Sequence, residues 1–107
     1  KEQYDVVILD PPAFTKTRSA VEGALRGYKE INLRGMKLTR DGGFFITCSC
    51  SQHVTPDLFR GMLLEAQKDA HVQLRQIEWR TQGRDHPILL ASPETQYLKC
   101  GIFQVFK

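Results

Sequence analysis

Apolar and polar positions change period several times along this chain, and each change marks an element. The first apolar run, Val6-Val7-Ile8-Leu9, is short and unbroken. It predicts a strand over Tyr4–Leu9, buried on both faces. Asp10-Pro11-Pro12 stops it, because two prolines fix the backbone and remove two N–H donors. From about Ser19 to Thr39 the period becomes helical, with Val21, Ala24, Leu25, Tyr28, Ile31, Met36 and Leu38 apolar and basic residues between them. Gly23, Gly27 and Gly35 lower the helix propensity, so they point to close packing on a sheet. Asp41-Gly42-Gly43 is a turn signal, and Phe44–Cys48 predicts a second buried strand.

Thr55-Pro56-Asp57 then starts a second helix, with Thr as N-cap, Pro at the first helical position and Asp in the first turn. Its stripe of Leu58, Phe59, Met62, Leu63 and Ala66 runs to about Asp69. A third strand over Val72–Arg80 shifts phase between Leu74 and Ile77, which predicts a bulge. Residues 81–96 are polar and turn-rich, and a last strand covers Tyr97–Phe106. The order β-α-β-α-β-β predicts an α/β fold with a mostly parallel sheet, right-handed crossovers and an antiparallel final strand.

Composition changes this picture little. The chain has 107 residues, 41% hydrophobic and 25% charged, enough for one small core. No apolar run reaches the length of a membrane span. Residues 1–15 hold a proline-broken strand where a signal peptide would hold a continuous apolar region. Cys48, Cys50 and Cys100 form no disulfide framework, so a reduced, cytoplasmic setting is expected. The net charge is only +3, but residues 15–40 concentrate Lys16, Arg18, Arg26, Lys29, Arg34, Lys37 and Arg40 against Glu22 and Glu30. That stretch reads either as a phosphate-facing surface or as a solvated helix face.

Asp10 and Cys50 each stand at the carboxyl end of a predicted parallel strand, where α/β sheets bind ligands. A carboxylate beside a thiol suits covalent catalysis on an electrophilic ring, or Cys50 is a small buried hydrophobe. Cys48 reads as strand packing and Cys100 as core. Cys48, Cys50 and His53 match no standard zinc spacing. Ser51, His53 and Asp57 lack the nucleophile elbow of a hydrolase triad. His86, before Pro87, either contacts a ligand or caps a turn.

DVVILDPPAF resembles motif IV of class I S-adenosylmethionine-dependent methyltransferases, and DGGFFITCSCS resembles the motif VI region of RNA cytosine-C5 methyltransferases. With the helix Tyr28 to Asn32 and the late segments Asp85-His86-Pro87 and Glu94 to Lys99, the chain is similar to the bacterial large-subunit ribosomal RNA cytosine-C5 methyltransferase family. The resemblance implies a Rossmann-like fold in which this stretch supplies the fourth, fifth, seventh and sixth strands, side by side in that order. It implies Cys50 as nucleophile on a flipped-out cytosine and Asp10 as its hydrogen-bonding partner. Asp10 and Pro11 would border S-adenosylmethionine. Pro12, Phe14, Lys16, Arg18 and His86 would hold ribosomal RNA.

The chain has no glycine-rich cofactor loop of the G-x-G type. It is therefore expected to be the C-terminal part of a catalytic domain, residues 1–107, without the cofactor-loop half or an RNA-binding domain. Strand Tyr4–Leu9 would then be an exposed edge through which the chain self-associates. N-methylation of a base, and a non-catalytic binding or dimerisation module, are the competing expectations.

Overall fold

The computed structural model describes residues 2–12, 21–51, 53–82, 90 and 98–107. Its elements are β1 (Tyr4–Leu9), α1 (Val21–Leu38), β2 (Thr39–Ser49), α2 (Pro56–Ala70), β3 (Gln73–Arg80) and β4 (Lys99–Phe106). The four strands form one sheet in the order β1-β2-β4-β3. β1 and β2 are parallel, while β4 runs antiparallel to both β2 and β3. This is the strand order that the family resemblance implies.

Both helices lie on one face of the sheet and pack against each other. Two right-handed crossovers that step in the same direction put their helices on the same side. One core cluster joins Tyr28 and Met36 of α1, Phe59 and Met62 of α2, Phe45 of β2, and Phe103 and Val105 of β4. The ring of Phe59 sits 6.1 Å from those of both Tyr28 and Trp79. Gly35 is what lets α1 approach β2. A Cβ there would stand 2.6 Å from the Phe45 ring and 3.0 Å from Leu9 Cδ1. Gly23 and Gly27 touch no sheet residue in this way, so close packing is the role of Gly35 alone among the three.

The opposite face is uncovered among the described residues, and this corrects the expectation of a doubly buried first strand. Val6 is 51% and Ile8 64% exposed, while Val7 and Leu9, under α1, are half-buried. Cys100 is corrected for the same reason. It lies on the uncovered face and is half-buried, not core.

The second strand begins at Thr39, not at Phe44. Asp41-Gly42-Gly43 buckles the strand without ending it: Gly42 takes φ 82°, and the pairing jumps from Tyr4↔Thr39 to Val6↔Phe44. The bulge in β3 falls between Gln76 and Glu78, as the phase shift predicts. Thr55 caps α2, its Oγ1 accepting from the Leu58 N–H at 3.2 Å. β4 begins at Lys99, and Tyr97 lies outside the described residues. No helix among the described residues is long and apolar enough to cross a membrane.

Candidate active site

The carboxyl ends of β1 and β2 are neighbours, with Leu9 paired to Thr47. Asp10 follows directly and is exposed; Pro11 is half-buried and Pro12 exposed. Cys50 lies one residue beyond β2 and is exposed with a free thiol. Strand alternation puts Cys48 on the uncovered face and Thr47, Ser49 and Ser51 toward the helices. Asp10 lies close enough to Cys48 for its charge to act on that thiol.

The turn that carries Cys50 is fixed from its buried side. Ser49 and Ser51, on either side of it, are both within 2% of full burial. Ser49 Oγ donates to Tyr28 Oη at 3.1 Å and accepts from the Ser51 N–H at 3.4 Å. One turn along α1, Asn32 Oδ1 accepts from Thr47 Oγ1, while its Nδ2 donates to the Tyr28 carbonyl at 2.7 Å. Lys99, fully buried at the start of β4, donates from Nζ to the Ser51 carbonyl at 2.6 Å. The Tyr28-to-Asn32 spacing is thus a brace: two buried polar groups four residues apart on one helix face grip alternate residues of β2. The flanking serines are held inward and the cysteine between them is left facing solvent.

The three thiols differ. Cys48 and Cys100 stand opposite one another across β2 and β4, Sγ to Sγ 2.7 Å. Burial, then the Cys100 side chain and the charges of Asp10 and Cys50, push the Cys48 thiol up to about 12. A thiol so reluctant to ionise is a poor nucleophile, which leaves Cys50 as the accessible one. Burial holds the Lys99 ammonium down to about 8, opposed by the nearby Cys50.

Other sequence candidates fare differently. Ser51 is buried, which rules it out as an exposed triad nucleophile, and no group of three or more metal-binding side chains occurs among the described residues. Phe14, Lys16, Arg18 and His86 lie outside the described residues. The basic stretch is partly neutralised. Lys29 pairs with Asp69 at 2.8 Å, Arg34 with Glu30 at 3.0 Å, and Arg40 with Asp5. Arg26 and Lys37 make no ion pair among the described residues. Lys99 ends one of the motifs that carry the resemblance, but the sequence assigned it no role, since a lysine entering a strand is ordinarily solvated.

No protein-family model matches the chain. Over 105 residues it is 43% identical to a Methanocaldococcus jannaschii protein named as a candidate ribosomal RNA large subunit methyltransferase, covering 98% of this chain and 27% of that protein. It is 42% identical over 98 residues to ribosomal RNA large subunit methyltransferase I of Cronobacter sakazakii, covering 92% of this chain and 25% of the relative. The chain spans about a quarter of the length of these curated relatives. Among solved structures, a candidate methyltransferase crystallised with SAH superimposes with a TM-score of 0.80 at 17% identity, over 96% of this chain and 26% of that one. A SAM-dependent methyltransferase named as a candidate from Streptococcus mutans gives 0.79 at 16%, with the same coverage. In sequence the chain is therefore similar, across nearly all its length, to a segment of ribosomal RNA large subunit methyltransferases, and its fold is the Rossmann-like methyltransferase fold.

Proposed function

We propose that this chain is the target-base half of an S-adenosylmethionine-dependent RNA cytosine-C5 methyltransferase, acting on ribosomal RNA, with Cys50 as nucleophile. The observation that carries this reading is the exposed Cys50 on a turn held by buried Ser49 and Ser51, beside the strand that Asp10 follows.

The Cys50 thiolate attacks C6 of a cytosine that has left its stack, forming a C–S bond and pushing electron density to C5. Asp10 hydrogen-bonds the ring near N3 and stabilises the adduct. S-adenosylmethionine, when bound, supplies the electrophilic methyl group. A base then takes the C5 proton, the C–S bond breaks and the thiolate leaves. Pro12, Phe14, Lys16, Arg18 and His86 serve as walls and phosphate contacts for the RNA.

The residues present fit one edge of a cofactor site. Asp10 is exposed and can accept from an amino group, and Pro11 beside it supplies surface. Neither Pro11 nor Pro12 has an N–H to offer, so a main-chain cradle for the cofactor is left to other residues. The three free thiols suit a reduced, cytoplasmic setting. Among the described residues β1 ends the sheet, with Tyr4, Val6 and Ile8 exposed, so the 107-residue chain self-associates through Tyr4–Leu9. Sedimentation that shows a monomer at every concentration contradicts that last point.

Cys50→Ala in the full-length protein tests the chemistry. Methyl transfer to ribosomal RNA, followed by nucleoside mass spectrometry, should show 5-methylcytidine lost. Retention of 5-methylcytidine, or a product methylated on nitrogen, would sink the proposal.

A further inference from the structure

The reaction as proposed leaves one buried charged group unused. Lys99 has no exposed surface, sits directly across from Ser49 in the β2–β4 ladder, and reaches past it to the Ser51 carbonyl. Burying an ammonium is costly, and a lysine contributing only packing would be better replaced by a hydrocarbon. Here the cation lies behind the turn that carries Cys50 and close enough for the two charges to interact.

We infer that Lys99 is a positioning residue for Cys50: its ammonium ties the Ser51 carbonyl to β4, fixing the thiol's turn, and its charge behind that turn favours the thiolate. The inference rests on the reading of Cys50 as nucleophile. It adds a second effect of the same contact, because the hydrogen bond and the field both come from Nζ. Among the described residues, the other ionisable groups on elements around this corner are Asp10 after β1, Tyr28 on α1, Cys48 on β2, Cys100 on β4, the Arg80–Glu78 pair at the end of β3 where Arg80 faces Cys100, and His53 in the turn before α2. A carboxylate at Asp10 opposes a thiolate beside it, and Arg80 is already paired with Glu78. Among the described residues Lys99 is the buried cation here, held directly behind the turn that carries Cys50. Above about pH 8 the ammonium loses its proton, and the support it gives the thiolate fades.

Iodoacetamide labelling of the full-length protein, resolved to Cys50 by fragment mass spectrometry, reads the effect without cofactor or RNA. At pH 7.5, Lys99→Met should slow Cys50 labelling about threefold to tenfold, the scale of one charge interaction across partly buried protein. Lys99→Arg, which keeps the charge, should recover part of the rate. The wild-type rate should also climb less steeply above about pH 8 than that of Lys99→Met, which a purely structural lysine would not produce.

If Lys99→Met fails to fold, the reciprocal measurement remains, since Cys50 is exposed and Cys50→Ala removes no core contact. The Lys99 side chain followed by NMR should titrate at lower pH in Cys50→Ala than in wild type. Equal labelling profiles in folded variants, or an unmoved Lys99 titration, would overturn the inference. Neither readout involves methyl transfer, so loss of this coupling and loss of the proposed reaction are separately visible.

Discussion

The two faces of this sheet are made of similar residues and have different fates. Phe45 and Phe44 are adjacent on β2; the first is fully buried under the helices, the second 40% exposed on the other side. Val7 and Ile8 repeat the contrast on β1. Apolar content therefore does not decide burial here. The direction of the crossovers does, since both helices fall on one side. The helix-covered face carries the stability and the polar brace behind Cys50. The uncovered face carries the side chains that look outward, Asp10 and the thiols among them.

The largest test of that contrast is truncation on each face. Phe45→Ala should cost about 3–5 kcal/mol, the range for a buried ring that leaves a cavity. Phe44→Ala should cost less than about 1.5 kcal/mol, because much of its surface is already in water. Chemical denaturation of the two variants decides this, and equal losses would mean that the uncovered face is buried in solution.

A smaller effect separates the glycines of α1. Gly35→Ala pushes a methyl into the Phe45 ring and should cost about 1–3 kcal/mol. Gly27→Ala meets nothing within 4 Å and should stabilise by up to about 1 kcal/mol through helix propensity. Thermal melts of the pair should therefore move in opposite directions.

The smallest effect is in pH. Lys99 holds its proton less tightly folded than unfolded, being lowered from 10.5 to about 8. The unfolded chain binds the extra proton between those values, so this group makes stability rise with pH from about 8 to about 10.5. Cys48 does the reverse. Raised from 9.0 to about 12, it keeps its proton where the unfolded thiol has lost it, and stability falls with pH over that span. Between about pH 8 and 9 the Lys99 contribution acts with little opposition from Cys48. Denaturation midpoints should rise over that interval in wild type and flatten in Lys99→Met.

Much of this was legible in the sequence, for physical reasons that also explain the gaps. Helical period and the Thr55-Pro56 start located both helices, and the phase change in β3 located its bulge. The exposure of Val6 and Ile8 was not legible, because it depends on which side both helices choose and not on the residues of β1. Asp41-Gly42-Gly43 read as a stop because local turn chemistry cannot show that a strand resumes its pairing beyond a buckle. The placement of Asp10 and Cys50 just beyond strand ends was legible from where the apolar runs stop. The bracing roles of Tyr28, Asn32 and Lys99 were hidden, since each depends on a partner far along the chain.

The central claim is that Cys50 forms a covalent bond to cytosine, and one measurement addresses it directly. Full-length protein is incubated with S-adenosylmethionine and a large-subunit ribosomal RNA fragment containing 5-fluorocytidine. Fluorine at C5 blocks the final proton removal, so the adduct should persist through denaturation. The account predicts a protein–RNA species whose cross-link maps to Cys50 and which is absent in Cys50→Ala. A cross-link on another residue, or methylated RNA with no adduct at all, would contradict it.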